Sequence, residues 1–189
     1  MATTQELAVT LKETGTAKQG EKANEVVIGV APGYGKLLNK SIKGVPHAVL
    51  LRELVAGLEE EGVPYRVIRV LHTSDLGVIG QTAARYAGSG YGIGILSKGT
   101  CIIHNKDLAP LDNLELYSIS PLLSVENYRQ IGRNAARYAK GDTPVPVQQP
   151  YDGEAIMTSW QARAAVMHLT ETAECKDGAA PLELEVTFQ

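Results

Sequence analysis

Residues 25–72 read EVVIGVAPGYGKLLNKSIKGVPHAVLLRELVAGLEEEGVPYRVIRVLH, and this stretch decides the fold. It opens on a short, continuous β-branched run, "EVVIGVAP" at 25–32, as expected of a buried strand. The loop "GYGKLLNKSIKG" follows, and Pro46 then opens "PHAVLLRELVAGLEEEG". There Val49, Leu50, Leu54 and Leu58 recur at helical spacing, with proline suited to the first turn and Gly62 to the stop. "PYRVIRVLH" at 64–72 is a second strand. Strand, helix and strand in this order predict a parallel pair joined by a crossover helix.

The pattern continues downstream. "TSDLGVIGQTAARYAG" starts with capping residues and ends at a glycine, so it is helical. A third strand spans 91–97, with further strands at "CIIHN" and "NLELYSI" (113–119). "SVENYRQIGRNAARYAKG" (124–141) is a helix with Ser124 as N-cap and Gly141 at its end. "DTPVPVQQPYDGE" is a Pro-rich connector, 156–172 a last helix and 182–188 a closing strand. Residues 1–24, rich in Thr, Lys, Glu, Gly and Gln, read as a flexible arm, and 25–189 as a single α/β domain with a mostly parallel sheet flanked by helices. Ligands of such sheets sit beyond the C-terminal strand ends, here the loops 72–75 and 97–100.

Composition narrows the function. The 189 residues are 44% hydrophobic but only 5% aromatic, so the core is aliphatic. Net charge is −3, with no basic field to hold a nucleic acid. Cys101 and Cys175 lie far apart and form no metal-ligand pair; they read as reduced thiols of a cytoplasmic protein. The polar N-terminus is no signal peptide, and no apolar run is long enough to span a membrane.

Glycines 88, 90, 92 and 94 of "GSGYGIGILSKGTCIIH" (88–104) fall on one face of an extended segment. Two readings stand: close packing of a helix or neighbouring chain, or room for a bulky, flat ligand. The run is no dinucleotide fingerprint, because isoleucine occupies 93 and 95 where the third glycine belongs. "GVAPGYGKL" likewise misses a P-loop, with Leu37 in place of the magnesium-binding hydroxyl. Lys98, in Ser97-Lys98-Gly99-Thr100, is suited to hold a phosphate or amide oxygen, with neighbouring hydroxyls adding hydrogen bonds; the plainer alternative is a solvated strand-end lysine. His47, His72, His104 and His168 show no metal-ligand spacing, and Glu59-Glu60-Glu61 reads as a solvated helix end. No nucleophile–base pair or carboxylate pair stands out.

Taken in order, "EVVIGVAP", "PHAVLLRELVAGLEEEG", "RVIRVLHTSD", "GSGYGIGILSKGT", "LAPLDNLELYSISPLL" and "YRQIGRNAARYAKGDTPVPV" resemble the medium (β) subunit of adenosylcobalamin-dependent diol and glycerol dehydratases, from about residue 25 to 147. The resemblance implies a heterohexamer with two copies each of large, medium and small subunits. The large, barrel-shaped subunit would carry substrate, metal ion and radical chemistry. The medium subunit, a Rossmann-like sheet inactive alone, would cover the nucleotide side of base-on adenosylcobalamin. The glycine strand and its Ser-Lys-Gly-Thr end would then lie against the flat cofactor. The implied cofactor contacts are Lys98 with Ser97, Gly99 and Thr100, the pair Ser74 and Asp75, and Leu116 with the residues to Ser118. Base-on binding agrees with the lack of an Asp-x-His-x-x-Gly pattern. Departures include Leu96 where the family has Gln, Ser118-Ile119-Ser120 in the base-side loop, and "YDGEAIMTSWQAR" after residue 150. The short N-terminal arm favours free cytoplasmic enzyme over a microcompartment. The alternative is the small subunit of a dehydratase-reactivating factor, a shorter relative.

Overall fold

The strand β2 (Val26–Val30) is the middle of the sheet because both of its faces are apolar. In the computed structural model, which describes residues 8–150 and 160–189, all five of its residues are buried. Val26, Ile28 and Val30 enter one cluster and Val27 the other, the two-residue period of a strand covered on both sides. The helix α1 (His47–Glu60) leads to β3 (Tyr65–Arg69), and α2 (Leu76–Tyr86) to β4 (Tyr91–Ile95). Both strands pair with β2 in parallel, placing Ile28 between Val67 and Ile93.

The flanks correct the expected mostly parallel, Rossmann-like sheet. β5 (Cys101–Asn105) folds straight back on β4, and β6 (Glu115–Tyr117) pairs antiparallel with β5. The connection 96–100 is too short for a crossover, so the pair must be a hairpin. After α3 (Val125–Lys140) and α4 (Gln161–Ala173), β7 (Leu182–Phe188) returns antiparallel to β3. The order is β1-β7-β3-β2-β4-β5-β6, a mixed α/β sheet with only its three central strands parallel. Part of the expected arm is also corrected: Val9–Thr16 is β1, paired along its length with β7. An edge strand is held by backbone hydrogen bonds and keeps charged side chains, so its composition resembles that of a loose arm. Residues 156–159 of the expected last helix, and 151–159 of the divergent segment, lie outside the described residues.

Helix α2 settles the two readings of the glycine run. A Cβ on Gly92 would sit 2.3 Å from Ala84 N, and one on Gly94 2.8 Å from Gly80 N. The glycines let α2 lie on the sheet, and that face of β4 has no space for a cofactor. On the other face α1 crosses α3 with backbones almost touching. A Cβ on Gly57 would sit 2.1 Å from Arg129 O, and one on Gly132 2.2 Å from Leu54 O. The acidic end of α1 is paired rather than merely solvated: Glu60 meets Arg133 at 2.7 Å, and Glu61 meets Lys140 at 2.6 Å and Arg137 at 2.9 Å. Lys140 and Arg137 hold the Glu61 carboxyl below the usual range.

This crossing reverses a familiar substitution. Alanine for glycine in a helix ordinarily stabilises by roughly 1 kcal/mol. Gly57→Ala is expected to destabilise by about 1–3 kcal/mol instead, because the methyl group meets backbone that cannot give way. Urea unfolding of the purified chain measures this, and a raised midpoint would contradict the packing described here.

Candidate functional site at the strand ends

The Ser97-Lys98-Gly99-Thr100 stretch is the tip of the β4–β5 hairpin. Leu96 N–H donates to Thr100 O (3.0 Å) and Gly99 N–H to Leu96 O (2.8 Å), closing the turn. Gly99 has φ +96°, and a Cβ there would sit 2.8 Å from Tyr128 Oη, so glycine is required twice over. Nearly every backbone group of the turn is held from outside. Ile42 N–H and Ser120 Oγ both donate to Lys98 O, at 3.1 and 2.9 Å. Tyr128 Oη donates to Gly99 O at 2.7 Å. His47 Nε2 donates to Ser97 O at 2.7 Å, and Ser97 N–H donates to Glu171 Oε2 at 2.8 Å.

The turn's side chains stand in contrast. The Ser97 and Thr100 hydroxyls are buried, at 0% and 5% residue exposure, with no hydrogen-bond partner among the described residues. Polar atoms so placed ordinarily find a partner, so the pair marks an incomplete network. Lys98 is partly exposed and forms no ion pair with the described residues. Beside it opens a cavity of about 170 Å³, lined by Lys98 and Thr100, by Ser118, Ile119 and Pro121, and by Trp160, Gln161 and Ala164 at the start of α4. A larger hollow, about 520 Å³, lies at the opposite end of the strands, where its Arg66 is already paired with Glu25 and Glu183.

Behind the turn, the loop after β2 is equally fixed. Arg69, fully buried, donates from Nη1 to Ala31 O, Pro32 O and Tyr34 O, while its Nε lies 3.1 Å from Glu13. Gly33 N–H donates to Glu171 Oε1 at 2.7 Å, and Gly35 N–H to His47 Nδ1 at 3.1 Å. His47 stacks on Tyr34 with ring centroids 3.9 Å apart. Its two ring bonds require the neutral tautomer protonated at Nε2. Burial brings its pKa down to about 4, aided by the charge of Arg69 and opposed by the bond to Ser97 O.

The structure thus brings Lys98, Thr100 and Ser118 to the cavity, while Ser97 and Gly99 belong to the same turn but do not line it. Leu116 lies on β6, 51% exposed, outside the cavity. Ser74 and Asp75 are also apart from it. Asp75 caps α2 by accepting from Val78 N–H at 2.9 Å, and Ser74 Oγ lies 2.8 Å from Thr172 Oγ1. Sequence reasoning missed Trp160, the N-cap of α4, and Gln161, Ala164 and Glu171 within it. The i, i+4 spacing of Met167 and Glu171, which places both on one helix face, was the available signal. Burial pushes the Cys101 thiol up to about 12, so it is no ready nucleophile. Among the described residues no His, Cys, Asp and Glu cluster suits a metal ion, and no helix is long and apolar enough to cross a membrane.

Fold and edge together define an α/β domain that presents a rigid, polar turn beside an apolar hollow at its strand ends. More particularly, residues 31–145 match the dehydratase medium subunit family, and the chain belongs to that family. A medium subunit implies partner subunits within a lyase complex. The chain is also similar to a solved glycerol dehydratase reactivase, at 24% identity and TM-score 0.53 over 65% of this chain and 96% of that one. A diol dehydratase-reactivating factor complexed with ADP and Mg2+ matches at 22% identity and TM-score 0.47, over 69% of this chain and 97% of that one. The first of these likenesses shows a shared fold.

His47 makes the site's stability depend on pH. Its folded pKa of about 4 lies below the ordinary value of 6.5, so between these values the unfolded chain binds more protons. Stability from this group is therefore full above pH 7, falls as pH drops through 6.5 and levels off below about 4. The loss is on the order of 3 kcal/mol. Urea melts from pH 4 to 7 are expected to show this slope in the wild type and lose it in His47→Gln; equal slopes would refute it.

Proposed function

We propose that this chain holds base-on adenosylcobalamin against the large, barrel-shaped subunit of a diol or glycerol dehydratase, and is inactive alone. The observation that carries the reading is the hairpin tip: an ammonium with no ion pair and two buried hydroxyls with no hydrogen-bond partner among the described residues, on a backbone fixed from five directions. A phosphate ester and amide-rich periphery supply the acceptors and donors these groups lack. Lys98 would hold the nucleotide phosphate, and Thr100, which lines the cavity, would bond a nearby oxygen or amide, with Ser97 buried behind the turn. The apolar cavity by Ile119 and Pro121 suits an edge of the cofactor's aromatic base. When bound, adenosylcobalamin supplies the radical chemistry; this chain's residues orient it and exclude water from its nucleotide side.

The packing of α2 over Gly92 and Gly94 limits the contact to the strand ends and the turn. Leu111, Leu116, Ile119, Val166 and Leu169 are large apolar side chains left exposed, which agrees with burial against partner subunits. Two copies of each subunit in a cytoplasmic heterohexamer is the assembly we infer. The reading as the small subunit of a reactivating factor gives way, since the family matched is the dehydratase's own medium subunit.

Titration of the assembled complex with adenosylcobalamin tests the proposal. Lys98→Ala is expected to weaken affinity by about one to two orders of magnitude, the size of a lost charge-assisted bond. Lys98→Glu is expected to be worse, because its carboxylate repels the phosphate. Equal affinities for all three would reduce Lys98 to a solvated strand-end residue. The purified chain with cofactor and propane-1,2-diol should form no aldehyde, and turnover there would overturn the subunit reading.

A further inference from the structure

In an open α/β sheet the ligand crevice lies at the C-terminal ends of neighbouring parallel strands whose connections leave on opposite faces. Here the order turns at β2: α1, which follows β2, and α2, which follows β3, lie on opposite faces, and the strand ends that face each other are those of β2 and β4, the latter leaving by the hairpin. The crevice between them is already filled by this chain. Glu171, 2% exposed, reaches in from α4 and accepts from Gly33 N–H with one oxygen and from Ser97 N–H with the other. Apart from Glu171, only Met167 of this helix is buried. Yet the start of the same helix, with Trp160, Gln161 and Ala164, forms a wall of the cavity beside Lys98.

We propose that Glu171 is a positioning residue for the Lys98 site, its carboxylate fixing the Ser97–Lys98 backbone and anchoring the α4 wall without touching the ligand. The proposal rests on the reading that Lys98 binds the cofactor. Both consequences follow from one group. A carboxylate bridging two N–H donors sets the spacing between the strand ends. Because it belongs to α4, it also ties that helix to them. A glutamine has one acceptor oxygen and turns an N–H₂ toward the second donor, so charge and two-fold acceptance are both needed.

The experiment uses the dehydratase complex assembled with wild type, Lys98→Ala, Glu171→Ala or Met167→Ala, titrated with adenosylcobalamin with and without sodium acetate. Acetate carries the CH₂–COO⁻ fragment that Glu171→Ala removes. Glu171→Ala is expected to weaken affinity about tenfold, and acetate to restore most of it, while sodium chloride at equal ionic strength does not. Met167→Ala, which loosens α4 through packing alone, should gain nothing from acetate. Wild-type affinity in Glu171→Ala, or a loss that acetate leaves unchanged, overturns the proposal. A second readout is independent of the cofactor: in the free full-length chain, Gly33 and Ser97 amide exchange should quicken in Glu171→Ala and slow again with acetate. If Lys98→Ala binds like wild type while those amides respond, the cofactor reading fails and the anchoring role of Glu171 stands. Amides that do not respond overturn the anchoring role itself.

Discussion

Just beyond the ends of two neighbouring parallel strands, the N–H groups of Gly33 and Ser97 converge on one buried carboxylate. Burying a lone carboxylate is prohibitively unfavourable without compensation. Here two charge-assisted bonds offset that penalty, and the buried Arg69 contributes a favourable field, its own charge also balanced by Glu13. Arg69 in turn holds three carbonyls of the loop that presents Gly33. The loop after β2 is therefore satisfied by side chains from three separate elements: Arg69 of β3, His47 of α1 and Glu171 of α4. Removing any one leaves a buried partner unmatched, a larger penalty than the net value of a hydrogen bond.

The same geometry explains why the near-miss P-loop spelling "GVAPGYGKL" is not a nucleotide site. In phosphate-binding loops the backbone N–H groups face the anion. Here the Gly33 and Gly35 N–H groups face Glu171 and His47 instead. An internal carboxylate and a neutral imidazole stand where an external phosphate would be held. The Lys98 cavity is separate from that loop and opens where Lys98 and Thr100 meet Ser118 and the start of α4.

Much of this was legible from residues alone, and the exceptions share a cause. The helix ending at Gly141 was readable because its caps are side-chain and φ requirements: Ser124 accepts from Asn127 N–H, and Gly141 has φ +77°. The closing strand at 182–188 and the glycine-rich strand were readable from their alternation. The antiparallel flanks were not, because the βαβ order was extended to strands joined by a five-residue turn. β1 was missed because edge strands carry their signal in the backbone rather than in hydrophobicity. Lys98 stood out by its neighbours, whereas Glu171 offered only its i, i+4 spacing with Met167: a glutamate on a helix is ordinarily a solvent residue, and its burial depends on donors supplied by distant segments. Long-range satisfaction of backbone groups leaves little local pattern to read.

That long reach has a consequence for how the protein comes into being. The partner of Ser97 N–H lies 74 residues further along the chain. The β4–β5 hairpin, by contrast, pairs residues that lie close together in sequence. The tip of the hairpin takes its final form only once α4 has docked, because the acceptor of Ser97 N–H belongs to that helix. Contacts this far apart in sequence carry a loop-closure cost, so the turn's last hydrogen bond forms later than the hairpin that carries it.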